Sequence, residues 1–160
     1  MNKKKLTIEL LSENVDALYA SLQWLKQSVE RCSSIVKKTE FTDASDFEAL
    51  EALTARFART IDILTSKVYR SIDIVEMHNG KTPIEVIEFL EKIGVISSIH
   101  QTKRLKELRN DIVHEYQQAD LNELFRSIYK SSSLLVFDAE KAIEYSRTIV
   151  DKFKEQEDLC

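Results

Sequence analysis

The sequence predicts an all-α protein, an up-and-down bundle of about five helices of which three are long and two are short. The 160 residues include only two Gly and one Pro, which leaves little material for the turns of a many-stranded fold. Apolar residues recur at alternating spacings of three and four, as on the buried face of an amphipathic helix. The segments between these stretches are short, which favours antiparallel neighbours. A chain of this length is expected to form one domain, residues 1–160.

The first long helix is predicted from an apolar stripe that begins at Ile8 and ends near Val36. The positions between them are Leu11, Val15, Leu18, Leu22, Leu25, Val29 and Cys32. A stripe this narrow suits packing inside a bundle. It also suits a coiled-coil-like seam between protomers, so the sequence leaves both interpretations open.

A polar break over residues 39–44 separates the first helix from the second. Ser45 and Glu48 match a capping-box pattern, which predicts the start of the second long helix. Its apolar face continues to Val75. The Asn-Gly pair at 79–80 is expected to end this part of the chain, because both residues tolerate left-handed backbone.

Two short helices and one long helix complete the prediction. The third helix begins with TPIE at 82–85, which supplies an N-cap threonine, a proline and a third-position glutamate, and it ends near Gly94. The fourth runs from a serine cap at 97 or 98 to about Gln118. The fifth starts at Asp120. Its expected buried side consists of Leu121, Leu124, Ile128, Leu135, Ala139, Ile143, Val150 and Phe153.

Composition limits the possible functions. A net charge of -4 and a pI near 5.5 argue against a protein that coats nucleic acid through bulk charge. No apolar run approaches the roughly 20 residues of a membrane span, so a cytoplasmic protein is expected. Cys32 and Cys160 are isolated, which indicates neither a disulfide framework nor a zinc site.

One segment has residue choices that chemistry explains better than packing. Residues 105–116 read LKELRNDIVHEY. Two bases, Lys103 and Arg104, come directly before this segment, and Lys106 is its second residue. Over 103–109, four bases and one acid give a local charge of about +3, which attracts phosphate even though the whole chain is acidic. The alternative for these bases is an ordinary solvated face.

Helix geometry separates the two most reactive side chains of this segment. Arg109 and Tyr116 are seven positions apart and lie on nearly the same face, whereas His114 is rotated about 140° from Arg109. The arginine and the histidine therefore do not meet easily within one helix. A site that uses both forms more readily where two copies of the helix face each other across a twofold axis.

An arginine and a histidine without a carboxylate cluster suit phosphodiester transfer from a ribose 2′-hydroxyl. An imidazole side chain, with an ordinary pKa of about 6.5, can accept the hydroxyl proton at neutral pH. A guanidinium can stabilise the negative charge that develops on the non-bridging oxygens. This route needs no metal, and DNA is not a substrate for it.

The segment RNDIVHEY resembles the R-x4-6-H motif of the HEPN superfamily of all-helical proteins. The RX4HXY form of the HepT toxins is matched by Arg109, His114 and Tyr116, and Asn110 matches the polar residue that usually follows the arginine. The resemblance implies a HEPN-like bundle that acts as a homodimer with facing motifs. It also implies a metal-independent endoribonuclease without a cofactor, often directed against tRNA.

The resemblance assigns a role to each residue. His114 is the general base, and from the second protomer also the acid; Arg109 stabilises the transition state, and Asn110 orients the phosphate or the arginine. Apart from the resemblance, Lys103, Arg104 and Lys106 are expected to bind the phosphates of the substrate through the local positive charge. The expected partner is a minimal nucleotidyltransferase antitoxin that neutralises the toxin by transferring AMP from ATP to Tyr116. The alternative is a non-catalytic subunit that presents a substrate or nucleotide to a nucleotidyltransferase, as some HEPN relatives do.

Each of these residues also has a plainer interpretation. His114 is then a polar residue bonded within its own bundle, and Tyr116 is a rim aromatic with its hydroxyl in water. Arg109 is then a surface residue that pairs with Asp111 or Glu107, which adds little stability.

The other two histidines are expected to lie outside the site. His78 stands near the end of the second helix, where an imidazole complements the terminal carbonyls. His100 follows the predicted serine cap and is expected to be exposed. Three scattered histidines do not predict a metal site.

Overall fold

The computed structural model describes residues 2–115 and 121–159, and every regular element within these two ranges is helical. The helices are α1 (Lys3–Cys32), α2 (Ala44–Ile63), α3 (Tyr69–Val75), α4 (Pro83–Lys92), α5 (Ile99–Glu115) and α6 (Leu121–Asp158). A π-helical turn, Leu64–Val68, joins α2 to α3 without a break, so the described ranges form five helical rods. Three rods are long and two are short, which confirms the predicted all-α bundle.

Helix α1 is antiparallel to the rod formed by α2 and α3. Near the middle of α1, Ser21 Oγ lies 2.8 Å from Thr60 Oγ1 on α2. Closer to the start of α1, Asn14 Nδ2 donates to Ser71 Oγ on α3, also at 2.8 Å. Because a lower number on α1 meets a higher number on the second rod, the two rods run in opposite directions.

Helix α6 is also antiparallel to α1. Lys5 at the start of α1 pairs with Glu157 at the end of α6, with 3.2 Å between Nζ and Oε1. Further along, Lys26 pairs with Glu140. The last helix therefore returns along the whole length of the first, as in an up-and-down bundle. No helix in the described ranges is both long and apolar enough to cross a membrane.

The stripe of α1 is covered by α2 and α6 of its own chain. Its buried positions include Ile8, Leu11, Val15, Leu18, Leu22, Leu25 and Cys32. The stripe therefore packs in the core of the protomer and is not available as a coiled-coil seam. Burial also raises the pKa of the Cys32 thiol.

The predicted capping box at the start of the second rod is wrong. Asp43 is the N-cap of α2, and its carboxylate accepts a hydrogen bond of 2.8 Å from the Ser45 backbone N–H. Aspartate caps a helix as well as serine does, so Asp43 starts α2 at Ala44, ahead of the predicted cap at Ser45. Glu48 lies further into the helix.

The second rod ends at Val75, ahead of the predicted Asn-Gly stop. Met77 and Asn79 adopt left-handed backbone, with φ of 61° and 54°. Gly80 is not left-handed; a Cβ there would lie 3.1 Å from Val86 Cγ2, so a larger residue would have to displace the Val86 side chain by a few tenths of an ångström. The Gly80 N–H donates to Asp73 Oδ2 at 2.9 Å, which fixes the turn against α3.

The start of α4 is as predicted. Thr82 Oγ1 accepts from the Glu85 N–H, the Glu85 carboxylate accepts from the Thr82 N–H, and both distances are 3.3 Å. Pro83 is the first helical residue. Ser98 caps α5, which begins at Ile99 as expected. The predicted end of the fourth helix near Gln118 and the start of the fifth at Asp120 lie outside the described residues.

Candidate functional site

The candidate site lies on the second half of α5. Leu105 is buried and anchors the helix to the core, while Asn110 and His114 are exposed. Arg109 is intermediate, with 33% of its side chain accessible. The same helix therefore turns one face to the bundle and carries the three predicted catalytic residues on its other faces.

Arg109 is held by a carboxylate that sequence reasoning missed. Its Nε donates to Asp62 Oδ1 at 2.8 Å, and its Nη2 donates to Oδ2 at 3.0 Å. Asp62 lies one residue before the end of α2 and is half exposed. This two-point contact replaces the predicted surface pairs with Asp111 or Glu107, which do not form.

The pair between Arg109 and Asp62 is electrostatically simple. By accepting hydrogen bonds and, secondly, by its charge, Asp62 raises the pKa of Arg109 above its ordinary value. The arginine is charged at any physiological pH. Since both side chains contact solvent, such a pair stabilises the fold by only about 0.2–1 kcal/mol.

His114 lies in the last described turn of α5 and is solvent-exposed. It makes no hydrogen bond within residues 2–115 and 121–159, so the interpretation of a histidine bonded inside its own bundle does not hold there. No hydrogen bond joins it to Arg109, whose guanidinium turns toward α2. Tyr116, the predicted modification site, lies outside the described residues.

The predicted basic patch divides between two clefts. Lys103, Lys106 and Asn110 line a shallow groove of about 390 Å³ between α5 and the N-terminal end of α4. Arg104 instead lines a cleft of about 440 Å³ between α5 and α6, together with Lys130. The lysines and the arginine therefore face different surroundings.

The groove beside α4 continues past Lys106. A neighbouring cavity of about 240 Å³ is lined by Lys106, Arg70, Thr65 and Ser66. The Arg70 guanidinium donates to Gly80 O at 2.6 Å, which holds its charge beside the groove. The two cavities share Lys106 and form one basic track, which ends at Asn110 within one residue of Arg109.

The other histidines are placed apart from this site. His78 Nδ1 lies 2.6 Å from Asp73 Oδ1, and its ring stacks on Phe89 with centroids 4.2 Å apart. Its partner is thus a buried carboxylate instead of the predicted helix-end carbonyls, and its role is structural. His100 is exposed, as expected. Among the described residues, no group of three or more His, Cys, Asp or Glu side chains is placed to hold a metal ion.

Comparison with known proteins gives one match. The family model described as "Ribonuclease HepT-like" matches residues 25–139, which is more than half of the chain. This range includes α2 to α5 and contains Arg109, Asn110, His114 and Tyr116. No curated protein and no solved structure matches the chain.

Proposed function

The chain belongs to the HepT-like ribonuclease family of the HEPN superfamily, and from this premise we propose that it is a metal-independent endoribonuclease toxin. Its substrate is RNA, with tRNA as the first class to test. The observation that carries the proposal is the combination, within the matched range, of an exposed His114 and an Arg109 whose guanidinium is fixed but only partly covered.

We propose that the site is shared by the two protomers of a homodimer. Arg109 turns toward α2 while His114 is exposed on another face of α5, so one protomer does not direct both at the same phosphate. A twofold axis that pairs two copies of α5 places the arginine of one protomer beside the histidine of the other. Symmetry then produces two equivalent clusters.

The proposed reaction is an internal transesterification. His114 accepts the proton of a ribose 2′-hydroxyl, and O2′ attacks the adjacent phosphorus. Arg109 donates to the non-bridging oxygens, where negative charge increases in the transition state. The bond from phosphorus to the 5′-oxygen breaks, and the imidazolium formed on His114 at the same site returns the proton to that oxygen. The products are a 2′,3′-cyclic phosphate and a 5′-hydroxyl.

The basic track is the proposed path of the RNA backbone. Lys103 and Lys106 project into the groove that ends at Asn110, and Asn110 is proposed to orient the phosphate or the arginine. Arg104 is proposed to contact the backbone from the neighbouring cleft, which Lys130, Glu107 and Asp111 also line. Phosphate contacts of this kind position a nucleic acid without reading its sequence.

Control by a partner follows from the same motif. We propose that a minimal nucleotidyltransferase antitoxin transfers AMP from ATP to the hydroxyl of Tyr116. The adduct is bulky and anionic, and the spacing of seven positions in the sequence predicts that Tyr116 and Arg109 share nearly the same helix face. The phosphate of the AMP group then binds the Arg109 guanidinium and blocks RNA from the site.

The test is cleavage of total tRNA by the purified protein in the presence of a chelator. Wild-type protein is expected to cut the RNA and leave cyclic phosphate ends. His114→Ala is expected to abolish cleavage because the reaction loses its base, while its unfolding free energy stays within about 1–2 kcal/mol of wild type. The matched control is His100→Ala, which removes an exposed histidine at the other end of the same helix and is expected to retain activity.

Three outcomes contradict the proposal. Retained cleavage in His114→Ala rules out the assigned role of the histidine. Intact RNA with wild-type protein, together with tight binding to a nucleotidyltransferase, favours the alternative of a non-catalytic partner subunit. Cleavage at a site whose 2′-hydroxyl is replaced by hydrogen rules out the transesterification route.

A further inference from the structure

Asp62 is the one carboxylate in direct contact with the proposed catalytic arginine within the described residues. It belongs to α2, 47 positions before Arg109, and no motif in the sequence includes it. Its two oxygens accept from two different nitrogens of the guanidinium, at 2.8 and 3.0 Å. Two bonds at these distances hold a planar group in one orientation.

The contact with Asp62 uses one edge of the Arg109 guanidinium and leaves another edge free to donate hydrogen bonds to a phosphate. Asp62 takes the Nε–H and one N–H of Nη2, which point along the same side of the guanidinium. The other N–H of Nη2 and both N–H groups of Nη1 form no hydrogen bond in the described part of the chain. One N–H from each of these terminal nitrogens points away from the arginine stem as a second fork. That fork matches two oxygens of one phosphate.

We propose that Asp62 is a positioning residue: it holds Arg109 by one edge so that the opposite, terminal edge is presented to the scissile phosphate. This inference rests on the proposed function. A free arginine samples many rotamers, and a fixed one reaches the developing charge without being ordered during the reaction.

The half-exposed position of the pair supports positioning over stability. Ion pairs with this much solvent contact contribute little to folding. Asp62 also brings a negative charge close to where the RNA phosphate binds, which disfavours binding of the substrate. Fixed geometry offsets that cost, since geometry acts on the chemical step and the repulsion acts mainly on binding.

This trade-off predicts a distinct kinetic signature. Asp62→Ala is expected to lower kcat about ten- to a hundredfold, because a misdirected guanidinium no longer meets the transition state. KM for tRNA is expected to stay within about threefold or to fall, since a repulsive charge is removed. Asp62→Asn keeps one carbonyl acceptor and is expected to lose less kcat than Asp62→Ala.

The decisive experiment is a double-mutant cycle with Arg109→Ala. If Asp62 acts through the arginine, adding Asp62→Ala to Arg109→Ala changes kcat by less than about twofold, although it changes the wild-type kcat by tenfold or more. Glu51→Ala removes an exposed acid from the same helix and serves as the matched control; its kcat is expected to equal that of wild type. Thermal unfolding of each variant shows that the fold is retained, and Asp62→Asn carries the test if Asp62→Ala does not fold.

The outcomes separate this inference from the function on which it rests. A wild-type protein that leaves RNA intact overturns the proposed function and the inference with it. An active wild type with unchanged kcat in Asp62→Ala overturns the inference alone. A raised kcat in Asp62→Ala also overturns it, because Asp62 would then hold the arginine away from the RNA phosphate. Equal losses in the wild-type and Arg109→Ala backgrounds show a general structural effect and overturn it as well.

Discussion

Asp138 carries a carboxylate into the core of the bundle. Only 1% of the residue is exposed, and its Oδ1 has no hydrogen-bond partner in the described part of the chain. The Tyr69 hydroxyl is likewise buried and without a partner there. Burial raises the pKa of Asp138 to about 6, partly opposed by the charge of Lys141. Burial, and secondly the Asp138 charge, raises the pKa of Tyr69 as well.

The raised pKa makes stability depend on pH in a definite direction. An unfolded aspartate loses its proton near 3.8, whereas folded Asp138 keeps it up to about 6. The free energy of unfolding is therefore higher when Asp138 is protonated than when it is charged. This extra stability is fully present below pH 3.8 and is lost as the pH rises through about 6. Charged Asp138 therefore weakens the fold at neutral pH.

Asp138→Asn is expected to stabilise the protein at pH 7.5 by about 1–3 kcal/mol, because an amide avoids burying an unpaired charge. As pH falls through about 6, this advantage should shrink. Thermal unfolding measured from about pH 4.5 to 8, on both sides of the titration of Asp138, tests this expectation. Asp151→Asn, an exposed position on the same helix, is the control and should follow wild type. Parallel curves for wild type and Asp138→Asn would contradict the assignment.

At the scale of single residues, the sequence predicts the reactive groups but not the contacts that hold them. Arg109, Asn110 and His114 share one segment, so a local motif was enough to single them out. Asp62 is distant in sequence and lies on another helix, and only packing of α5 against α2 brings it to the arginine. The burial of Asp138 can be predicted from the helical spacing, because it stands three residues after Leu135 on the buried side of α6.

At the scale of elements, helix α4 and the middle of α5 together build the basic groove. The capping box at Thr82 fixes where α4 begins, and the same residue lines the groove opposite Lys103. Local cap chemistry thus sets one wall of the proposed RNA path. Lys106 joins this groove to the cavity beside Arg70.

The lysines of the groove are expected to account for much of the salt dependence of RNA binding. With His114→Ala as the background, so that RNA stays intact, Lys103→Gln and Lys106→Gln should each make the plot of log affinity against log salt shallower by about 0.7. Fluorescence anisotropy with a labelled single-stranded RNA gives this slope. Lys92→Gln changes an exposed lysine at the other end of α4 and should leave the slope unchanged. An unchanged slope in both groove variants would place the RNA elsewhere.

Helix starts were predictable where one cap candidate stood alone, and less so where candidates competed. Thr82, Pro83 and Glu85 form a complete local signal, and the structure confirms it. At the second rod, Asp43 and Ser45 both suit an N-cap, and sequence alone does not rank them. The π-helical turn has no such signal, because spacings of three and four continue through it.

At the scale of the whole molecule, the bundle follows from the apolar stripes. The stripes of α1 and α6 are long enough to bury each other over most of their length, so the antiparallel arrangement was predictable. The homodimer stays a prediction, since the residues of one chain do not show which surface pairs. The proposed site depends on it, because one protomer holds the arginine and the histidine on different faces of α5.

The shared site is tested most directly by mixing Arg109→Ala, which is expected to be strongly impaired, with His114→Ala, which is expected to be inactive, under conditions that let protomers exchange. If each site takes its arginine from one protomer and its histidine from the other, a mixed dimer keeps one intact site. An equal mixture should then recover about a quarter of wild-type tRNA cleavage, because half of the dimers are mixed and each has one of two sites. Native mass spectrometry verifies that mixed dimers form. Mixed dimers without any cleavage would contradict the account.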